Sequence, residues 1–481
     1  MADALLADRL AAILNRDDTA SLQAQIVGAV RAAIIDGALK PAAKLPSFRA
    51  LATALGVARI TVVQAYDKLL CDGYLEAGST SGTFVSSRLA PAPQAAREQK
   101  SSAPLSKRGA QIVLAPAGIQ ECSGPFVPGV CDTSCFPHQV WRRIQNRYLG
   151  GQHAELTGYV NHGGYLPLRR ALAEYLRVSR GVRAAPEQVI VTMGTNQSLD
   201  LCSRILADHG ELAVVENPCH WATPIVLRAN GLEVEAIDVD GDGVRVGDIS
   251  RAPRMIAITP SHQFPMGVTL SKERRLQLLN YAQRVDAFIL EDDYYSEFRY
   301  DQRALPSLQG QDPYGRVILM GTFSKVTYPG MRLSYVVVPP DLVDAFAAAS
   351  LRLYRPGYLS LQASMADFIA DGHFARHVRS MREVYGARHA ELIRCLDKQF
   401  RTSVEMSRNA AGLHMTVRIA GLDDCEAALA RAHTQGIYLR RLHAFNQGRR
   451  DFRDGFLLGF GAVAFDAISP SVDRMARILD L

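Results

Sequence analysis

The sequence predicts an α/β protein with a small helical N-terminal domain and a large domain built on a mixed, mainly parallel sheet. Residues 21–86 contain three short helical patterns and then two β-prone pieces, whereas from about residue 113 apolar strands alternate with helices. Between them, residues 87–112 carry three prolines and no apolar periodicity. We therefore expect domains at 1–86 and 113–481, joined by a flexible, basic linker.

Composition and charge narrow the class of protein. The chain has 481 residues, 48% of them hydrophobic, and a formal net charge of +6, which is typical of a globular protein with sizeable cores. No apolar run approaches the roughly 20 residues of a membrane span, and the first residues are acidic where a signal peptide needs basic ones. We expect a cytoplasmic protein with no membrane partner. Only Cys131 and Cys135 lie close together among the cysteines, so we expect reduced thiols and no metal site.

Three helices are predicted in the first domain. Apolar residues recur every fourth position over 21–36, which predicts an amphipathic helix. A second helix is predicted over 48–55, where Gly56 ends it, and a third over about 58–72. Two helices joined by a short glycine-containing turn form a helix-turn-helix, whose second helix enters a major groove. The β-prone pieces around a Ser/Thr/Gly tip predict a hairpin, or wing, over 75–85.

This domain closely resembles the GntR-type winged helix. The family pattern Leu-Pro-Ser-x-Arg-x-Leu-Ala stands at 45–52, and Gly-Tyr-Leu followed by Ser-Gly-Thr-Phe-Val stands at 73–75 and 81–85. The resemblance implies binding to double-stranded operator DNA, the alternative being a helical module that binds only protein. Between 40 and 68, five basic residues face only Asp67, which suits phosphate contacts. The candidate DNA-binding residues are Arg49, Arg59, Thr61, Ser81, Gly82 and Thr83.

The start of the predicted recognition helix departs from the family pattern. The family usually reads Ser-Arg-Asn-Thr-Val, whereas this chain has Ala58, Arg59, Ile60, Thr61 and Val62. Ala58 has no side-chain oxygen to cap the helix, a loss of about 1 kcal/mol. Ile60 has no hydrogen-bonding group. We expect Arg49 and the wing tip to bind phosphates, which position the domain without reading sequence.

In the large domain, a lysine among small hydroxyl residues suggests a cofactor site. Lys325 follows Thr322 and Ser324, and Arg332 comes seven residues later. A lysine that forms a Schiff base needs an accessible, partly neutral amine, and the hydroxyls and the arginine suit an anionic group beside it. The glycine turn at Gly194 lies between a predicted strand at 188–193 and a helix predicted over 198–207, and it is a second candidate phosphate site. Acidic residues follow a further strand at 287–290, where open sheets bind ligands.

The order of motifs in the large domain resembles that of fold-type I aminotransferases. The residues within these motifs resemble those of the MocR-type regulators, in which that domain follows a GntR winged helix. The motifs are Tyr159-x4-Gly164-x3-Leu168-Arg169, Arg180-Gly181, Thr259 to Gly267, Glu291 to Tyr300 and Gly321 to Lys325. The resemblance implies pyridoxal 5′-phosphate, with Lys325 forming the internal aldimine, Asp292 pairing with the pyridine nitrogen and Tyr294 bonding the ring oxygen. It assigns the phosphate to Gly194, Thr195, Asn196, Thr322 and Arg332, with Tyr159 reaching in from a second subunit.

Several residues depart from the aminotransferase pattern. Where the family has Pro-x-Tyr, the ring that stacks on the cofactor is either His220 or Trp221. Ser334 replaces a usual glycine. The position of the arginine that binds the substrate α-carboxylate is Leu457. Arg450 or Arg453 could substitute, although surface arginines in loops are the simpler interpretation.

Two functions follow from these expectations. In the first, the chain is a homodimeric transcription regulator whose aminotransferase-like domain senses pyridoxal 5′-phosphate, and also a small amine if one forms an external aldimine with it. In the second, it is a working aminotransferase with an ancillary DNA-binding module. The winged helix and the missing arginine favour the first. A homodimer would present two winged helices to paired half-sites.

Overall fold

The computed structural model describes residues 10, 14–78, 82–87, 104–114, 124–149, 153–158, 163–300, 306–355, 357–422 and 424–479. Contacts divide the chain into two units, Met1–Pro104 and Leu105–Leu481. No helix within the described ranges is long and apolar enough to cross a membrane.

The first unit contains the predicted helices and hairpin. These are α1 (Leu22–Ile35), α2 (Phe48–Leu55), α3 (Arg59–Cys71), β1 (Leu75–Ala77) and the antiparallel β2 (Thr83–Val85). The Ser47 hydroxyl accepts the Ala50 N–H at 3.2 Å and so caps α2, which ends at Gly56 with a left-handed φ of +61°. Helix α3 begins after Ala58 with no side-chain cap, as the sequence predicts.

Helices α1 and α3 pack on each other through apolar side chains at helical spacing. Ile26 and Val30 of α1 and Val62, Tyr66 and Leu69 of α3 are fully buried. This shared core leaves the start of α3 exposed, and Ile60 there is 60% exposed. The first turn of the predicted recognition helix is therefore free to meet a ligand.

The second unit is organised around an eight-stranded sheet. In chain order its strands are β3 (Val189–Thr192), β4 (Leu212–Asn217), β5 (Glu233–Asp240), β6 (Gly243–Val244), β7 (Met255–Ile258), β8 (Phe288–Asp293), β9 (Val317–Thr322) and β10 (Ser334–Val337). Their spatial order is β3-β10-β9-β8-β7-β4-β5-β6. Strand β10 is antiparallel to both neighbours and β6 to β5, while the other pairs are parallel. The predicted mixed, mainly parallel sheet is confirmed.

Helices cover both faces of this sheet. In chain order, the helices of this part of the unit are α4 (Lys107–Leu114), α5 (His138–Leu149), α6 (Leu166–Arg180), α7 (Thr195–Leu206), α8 (Ala222–Ala229), α9 (Lys272–Val285), α10 (Leu308–Gln311), α11 (Val343–Tyr354), α12 (Leu359–Ala370) and α13 (His373–Phe400). Alternate strand residues pack on opposite faces, with α7, α8 and α11 on one and α6 or α9 on the other. The strands are buried on both faces, as parallel sheets require.

A smaller antiparallel sheet follows α13. Its strands are β11 (Val404–Met406), β12 (His414–Ile419), β13 (Arg440–Arg441) and β14 (Phe456–Gly459), in the order β11-β12-β14-β13. Helices α14 (Cys425–Thr434) and α15 (Phe465–Ile478) accompany it. One face of this sheet, including Met415 and Leu458, joins the main core. The opposite face carries His414 and Leu457.

Three sequence expectations need correction at their boundaries. Helix α4 (Lys107–Leu114) begins inside the stretch expected to be linker, ends two residues beyond it, and packs against α8. Helix α7 begins at Thr195, three residues before the expected start at Ser198, because the glycine turn leads directly into it. Asp292 lies within β8 rather than after the strand.

Candidate functional site

Lys325 lies three residues beyond the end of β9. Its Nζ donates a hydrogen bond to the carbonyl oxygen of Gly129 at 2.7 Å. Burial lowers the pKa of Lys325 below its ordinary value, opposed by the charges of Cys131 and Asp292. A lysine that loses its proton more easily is a better nucleophile, so this amine suits covalent attachment to a carbonyl compound.

Asp292 lies in β8, the strand next to β9. Its Oδ1 is buried and has no hydrogen-bond partner among the residues that the structure describes. Burial raises the pKa of Asp292 to about 7, and the charge of Asp293 adds to this while that of Lys325 opposes it. A buried acceptor without a donor suits a ligand that brings one, such as a protonated ring nitrogen.

Two buried groups that sequence reasoning missed support this strand end. Arg180 donates to Asp293 Oδ2 at 2.8 Å and to the Ser261 hydroxyl at 2.7 Å, and both charged side chains are almost fully buried. Arg180 belongs to the Arg180-Gly181 motif, but nothing near it in the sequence indicated that Asp293 is its partner. This buried, hydrogen-bonded ion pair fixes the residue next to Asp292.

Glu216, at the end of β4, is the second missed group. Its Oε2 accepts bonds from the Thr259 N–H at 3.0 Å and the Thr259 hydroxyl at 2.6 Å. Burial raises the pKa of Glu216 to about 7. The charge of Glu216 also contributes to the raised pKa of Asp292, so the two acids share one environment.

The predicted phosphate-binding residues meet at one edge of the sheet. Strand β10 lies between β3 and β9 and pairs Ser334 with both Thr192 and Thr322. Gly194 comes two residues after Thr192, and Arg332 two residues before Ser334. A Cβ added at Gly194, whose φ is +127°, would stand 2.5 Å from Arg332 Nη2. Glycine is therefore required for the guanidinium to approach this turn.

The same turn presents donors for an anion. Gly194 precedes α7, so the N–H groups of Thr195 and the exposed Asn196 stand in the first turn of a twelve-residue helix. The Thr322 hydroxyl accepts a bond from Ser334 Oγ at 2.9 Å. Ser334 is thus a buried structural partner of Thr322. Arg332 is exposed at its left-handed φ of +49°.

His220 and Trp221 differ in what they contact. The His220 ring lies 5.3 Å from the Phe264 ring, and burial with the charge of Lys325 lowers the pKa of His220 to about 4. Trp221 packs on a cluster that includes Phe445 and also lines a cavity of about 510 Å³ between α4 and α8. His220 is therefore the ring whose charge state responds to Lys325.

Tyr294 donates its hydroxyl hydrogen to the carbonyl oxygen of His262 at 2.9 Å. Burial is the main cause that raises the pKa of Tyr294 well above its ordinary value. The phenol therefore stays neutral. Its oxygen can accept a hydrogen bond from a ligand as it stands, and it can donate to one only in place of the bond to His262. Its ring is 6.2 Å from that of Phe264, which in turn adjoins His220.

The position expected for a carboxylate-binding arginine is apolar. Leu457 is fully buried with Leu442 and Phe445. Arg453 pairs with Glu405 at 2.8 Å and its side chain is 73% exposed, while Arg450 is exposed. Neither arginine replaces the missing one in this arrangement.

In the first unit, the described DNA-binding candidates lie on the surface. Arg49 in α2, Arg59 in the first turn of α3 and Gly82 at the hairpin are exposed, and Thr61 and Thr83 are half-buried. Their positions suit a helix inserted in a groove beside a wing. They remain predictions.

Two predicted residues, Tyr159 and Ser81, lie outside the described residues. Within the described ranges, no group of three or more His, Cys, Asp or Glu side chains is arranged to hold a metal ion. Cys131 is buried with its thiol 3.5 Å from the Thr327 carbonyl oxygen, whereas Cys135 is exposed.

Comparison with known proteins places both units in families. The family described as aminotransferase class I and II matches residues 131–453, and that of bacterial regulatory proteins of the gntR family matches residues 22–85. The chain is 38% identical over 433 residues to the probable rhizopine catabolism regulatory protein MocR of Rhizobium meliloti, covering 88% of this chain and 87% of that protein. The chain is a MocR-type transcription regulator.

Two further comparisons agree with this MocR-type assignment. The HTH-type transcriptional regulator TauR of Rhodobacter capsulatus is 32% identical over 478 residues, covering 95% of this chain and 96% of that protein. The crystal structure of a kynurenine aminotransferase from Pyrococcus horikoshii, at 24% identity, superposes with a TM-score of 0.69 over 79% of this chain and 95% of that one. The large unit of this regulator therefore has the aminotransferase fold, and the resemblance stated from the sequence is confirmed.

Proposed function

We propose that this MocR-type regulator binds pyridoxal 5′-phosphate covalently at Lys325, and that the cofactor, alone or with a small amine, changes the regulator's affinity for operator DNA. The observation that carries the proposal is the buried, unpartnered Oδ1 of Asp292 beside the charge of Lys325. A protonated pyridine nitrogen would supply the donor that the described residues do not provide, and a second counter-charge for the carboxylate.

The described side chains fit the parts of this cofactor. Arg332 and the first turn of α7 would neutralise its phosphate, and the His220 ring would lie over its plane. The phosphate-binding set is Gly194, Thr195, Asn196, Thr322 and Arg332. When bound, the cofactor supplies an electrophilic carbon that a primary amine can attack, and Tyr294 would hold the ring oxygen in place.

The test is the visible absorption band of the full-length protein. Wild type loaded with pyridoxal 5′-phosphate should show the band of a lysine-bound cofactor, and Lys325→Ala should lose it while remaining folded by circular dichroism. Lys398→Ala, at an exposed position in α13, is the matched control and should keep the band. A band that survives in Lys325→Ala would remove this lysine from its proposed role.

The winged helix supplies the DNA-binding part of the proposal. The gntR-family match over residues 22–85 supports operator binding, and Arg49 and Arg59 are exposed where a duplex would meet α2 and α3. Binding of each unit's ligand can affect the other only if the free-energy gap between two states of the protein changes.

We further propose a homodimer, with Tyr159 contributing to the partner's cofactor site. Tyr358 is 67% exposed and Leu166 is 38% exposed. Tyr358 directly precedes α12 and Leu166 begins α6, and these two helix starts are joined by the bond from the Tyr165 N–H to Gln362 Oε1 at 2.8 Å. Exposed apolar side chains that lie together favour association. Analytical ultracentrifugation should give twice the chain mass, and a monomer at micromolar concentration would contradict this.

The alternative is a working aminotransferase with an ancillary DNA-binding module. It is favoured by the presence of Lys325, Asp292 and the phosphate-binding residues together in one site. Steady conversion of an amino acid and a keto acid by the loaded protein, with DNA affinity indifferent to the cofactor, would support it over the regulator.

A further inference from the structure

A cluster of apolar and aromatic side chains, here called the apolar wall, borders the Lys325 site. It consists of Leu442, Phe445 and Leu457, with Trp221, Phe264 and Phe452 packed against them. Leu442 and Leu457 are fully buried, and Phe445 is 6% exposed. Two independent sets of contacts tie this wall to the residues proposed to hold the cofactor.

The first set is a chain of rings. Phe264 lies 5.0 Å from Phe445 within the wall, 5.3 Å from His220 and 6.2 Å from Tyr294, measured between ring centroids. His220 and Tyr294 are the two aromatic side chains proposed to contact the cofactor. Phe264 and the side chains behind it therefore border both rings proposed to contact the cofactor.

The second set runs through the backbone. Strand β14, which carries Leu457, is hydrogen-bonded to the segment 126–129. The Gly459 N–H donates to the Phe126 carbonyl oxygen at 3.0 Å. A Cβ at Gly459 would stand 2.1 Å from the Val127 carbonyl oxygen, so the contact is close. Two residues further on, Gly129 accepts the bond from Lys325 Nζ. The wall is thus fixed to the segment that orients the reactive amine.

Three histidines around the wall, His220, His262 and His414, carry no charge at neutral pH. Burial lowers the pKa of His220 to about 4 and that of His262 to about 3. It lowers the pKa of His414, whose ring is 5.2 Å from Phe264, well below its ordinary value. These rings offer hydrogen bonds and stacking but no cation for a carboxylate.

Two of the arginines nearest in sequence to the wall are engaged elsewhere. Arg441 is paired with Asp454 and Glu426, and Arg449 pairs with Asp238 at 3.3 Å. Arg440 faces Leu457 across the β13–β14 pair. Arg440 is therefore the alternative residue that a carboxylate could bind near the wall.

We propose that the amine accepted by this site is a primary amine with no carboxylate, uncharged apart from its amino group. The proposal rests on the proposed function and specifies the ligand class of that same site. A carboxylate brought against Leu457, Phe445 and Phe264 would lose its hydration without gaining a partner from these three side chains, which is strongly unfavourable. An uncharged substituent loses much less.

Matched pairs of amines test the proposal on full-length, cofactor-loaded wild type. One pair is 3-methylbutylamine and leucine, and the other is n-butylamine and 4-aminobutanoate, each compared at equal concentrations of unprotonated amine. The readout is the change of the visible band as the amine displaces Lys325. The uncharged member of each pair should act at concentrations about tenfold lower or better, since a buried charge without a partner is more costly than a buried uncharged group.

Two variants locate the cause of the preference. Leu457→Arg, if it keeps the cofactor band, should lower the leucine concentration for half-saturation about tenfold, since a charge-assisted bond becomes available. Arg440→Ala should leave the preference unchanged. If leucine instead acts well on wild type and Arg440→Ala abolishes its effect, Arg440 is the carboxylate-binding residue and the proposal is wrong.

The remaining outcomes distinguish failure of the proposed ligand class from failure of the proposed cofactor binding at Lys325. Equal responses to both members of each pair, or no response to any amine in a protein that shows the band, would overturn the ligand class while leaving cofactor binding at Lys325 intact. Wild type that shows no band after loading would overturn the proposed function, and the ligand class with it.

Discussion

Arg49 and Arg59 of the winged-helix unit are exposed, whereas Lys325 and Asp292 of the aminotransferase-like unit lie partly buried at the ends of two central strands. The first pair comes from one continuous stretch of helices and turns. The second is brought together by a sheet whose neighbouring strands are separated by whole helices. An exposed residue such as Ile60 can differ from the family pattern without disturbing a core, whereas a change at a buried site disturbs the packing around it. We therefore expect substitutions in the two units to affect different ligands.

The largest expected effect comes from filling the glycine turn at the proposed phosphate site. Gly194→Ala places a methyl group 2.5 Å from Arg332 Nη2 at a φ of +127°. The methyl group would displace the Arg332 guanidinium from the turn, and losing one hydrogen bond to a charged group, about 1.5–3 kcal/mol, corresponds to roughly a 10- to 150-fold loss of pyridoxal 5′-phosphate affinity, measured by titrating the visible band. DNA affinity without cofactor should not change.

Gly210→Ala is the matched control for this substitution. Gly210 also has a positive φ, +88°, but an added Cβ there meets nothing within 4 Å. The strain is similar and Arg332 is untouched. Equal loss of cofactor affinity in both variants would show that general destabilisation, rather than the close approach of Arg332 to Gly194, is responsible.

The second prediction uses pH to distinguish the units. The folded-state pKa of His220 is about 4, below the ordinary 6.5. Neutral His220 therefore makes its full contribution to the free energy of unfolding above pH 6.5. This contribution is lost as the pH falls toward 4, by at most about 1.4 kcal/mol per pH unit. His220→Phe should flatten this dependence in the cofactor-free protein.

Hydrogen exchange followed by peptide should place this destabilisation in the second unit alone. Residues 1–104 contain no histidine, so amides of the winged helix should not lose protection for this reason between pH 6.5 and 4. An unchanged pH dependence in His220→Phe would contradict the assigned burial of this imidazole.

The third prediction concerns the exposed surface. Arg49→Ala or Arg59→Ala should weaken operator binding and reduce the log–log salt slope by about 0.9 for each phosphate that the variant no longer binds. The cofactor band should be unaltered. Lys398→Ala, exposed in the other unit, should change neither. Binding that survives both arginine replacements would transfer the DNA contact to another surface, such as the basic linker.

The smallest expected effect comes from the uncapped recognition helix. Ala58 provides no side-chain cap for α3, and Ala58→Ser should stabilise the helix start by about 1 kcal/mol. Slower hydrogen exchange of the first α3 amides would show it, with protection in the second unit unchanged. No change in exchange would mean that the hydroxyl does not reach the free N–H groups.

The sequence predicted elements with strong local signals better than contacts between distant residues. Helix α2 spans Phe48–Leu55 as expected, because Ser47 and Gly56 mark its ends. Helix α4 was missed, since the surrounding prolines and charges indicated a linker. Tertiary packing against α8 stabilises this helix in place of a strong local pattern.

The candidate site was predicted in part for the same reason. Lys325, Asp292 and Gly194 stand in recognisable motifs. Gly129, which accepts the Lys325 hydrogen bond from 196 residues away, is marked by no motif. Glu216 looked like an ordinary strand residue, and only the fold shows that Thr259 satisfies its carboxylate.

The central claim is that cofactor occupancy in one unit changes DNA binding by the other. The direct measurement is operator affinity at one salt concentration for cofactor-loaded wild type, cofactor-stripped wild type and Lys325→Ala. We predict that loaded protein differs from the other two by about 5- to 150-fold, the usual range of allosteric coupling. Operator DNA should change cofactor affinity by the same factor. Identical operator affinity in all three proteins, with and without added amine, would contradict the account and favour an aminotransferase with an independent DNA-binding module.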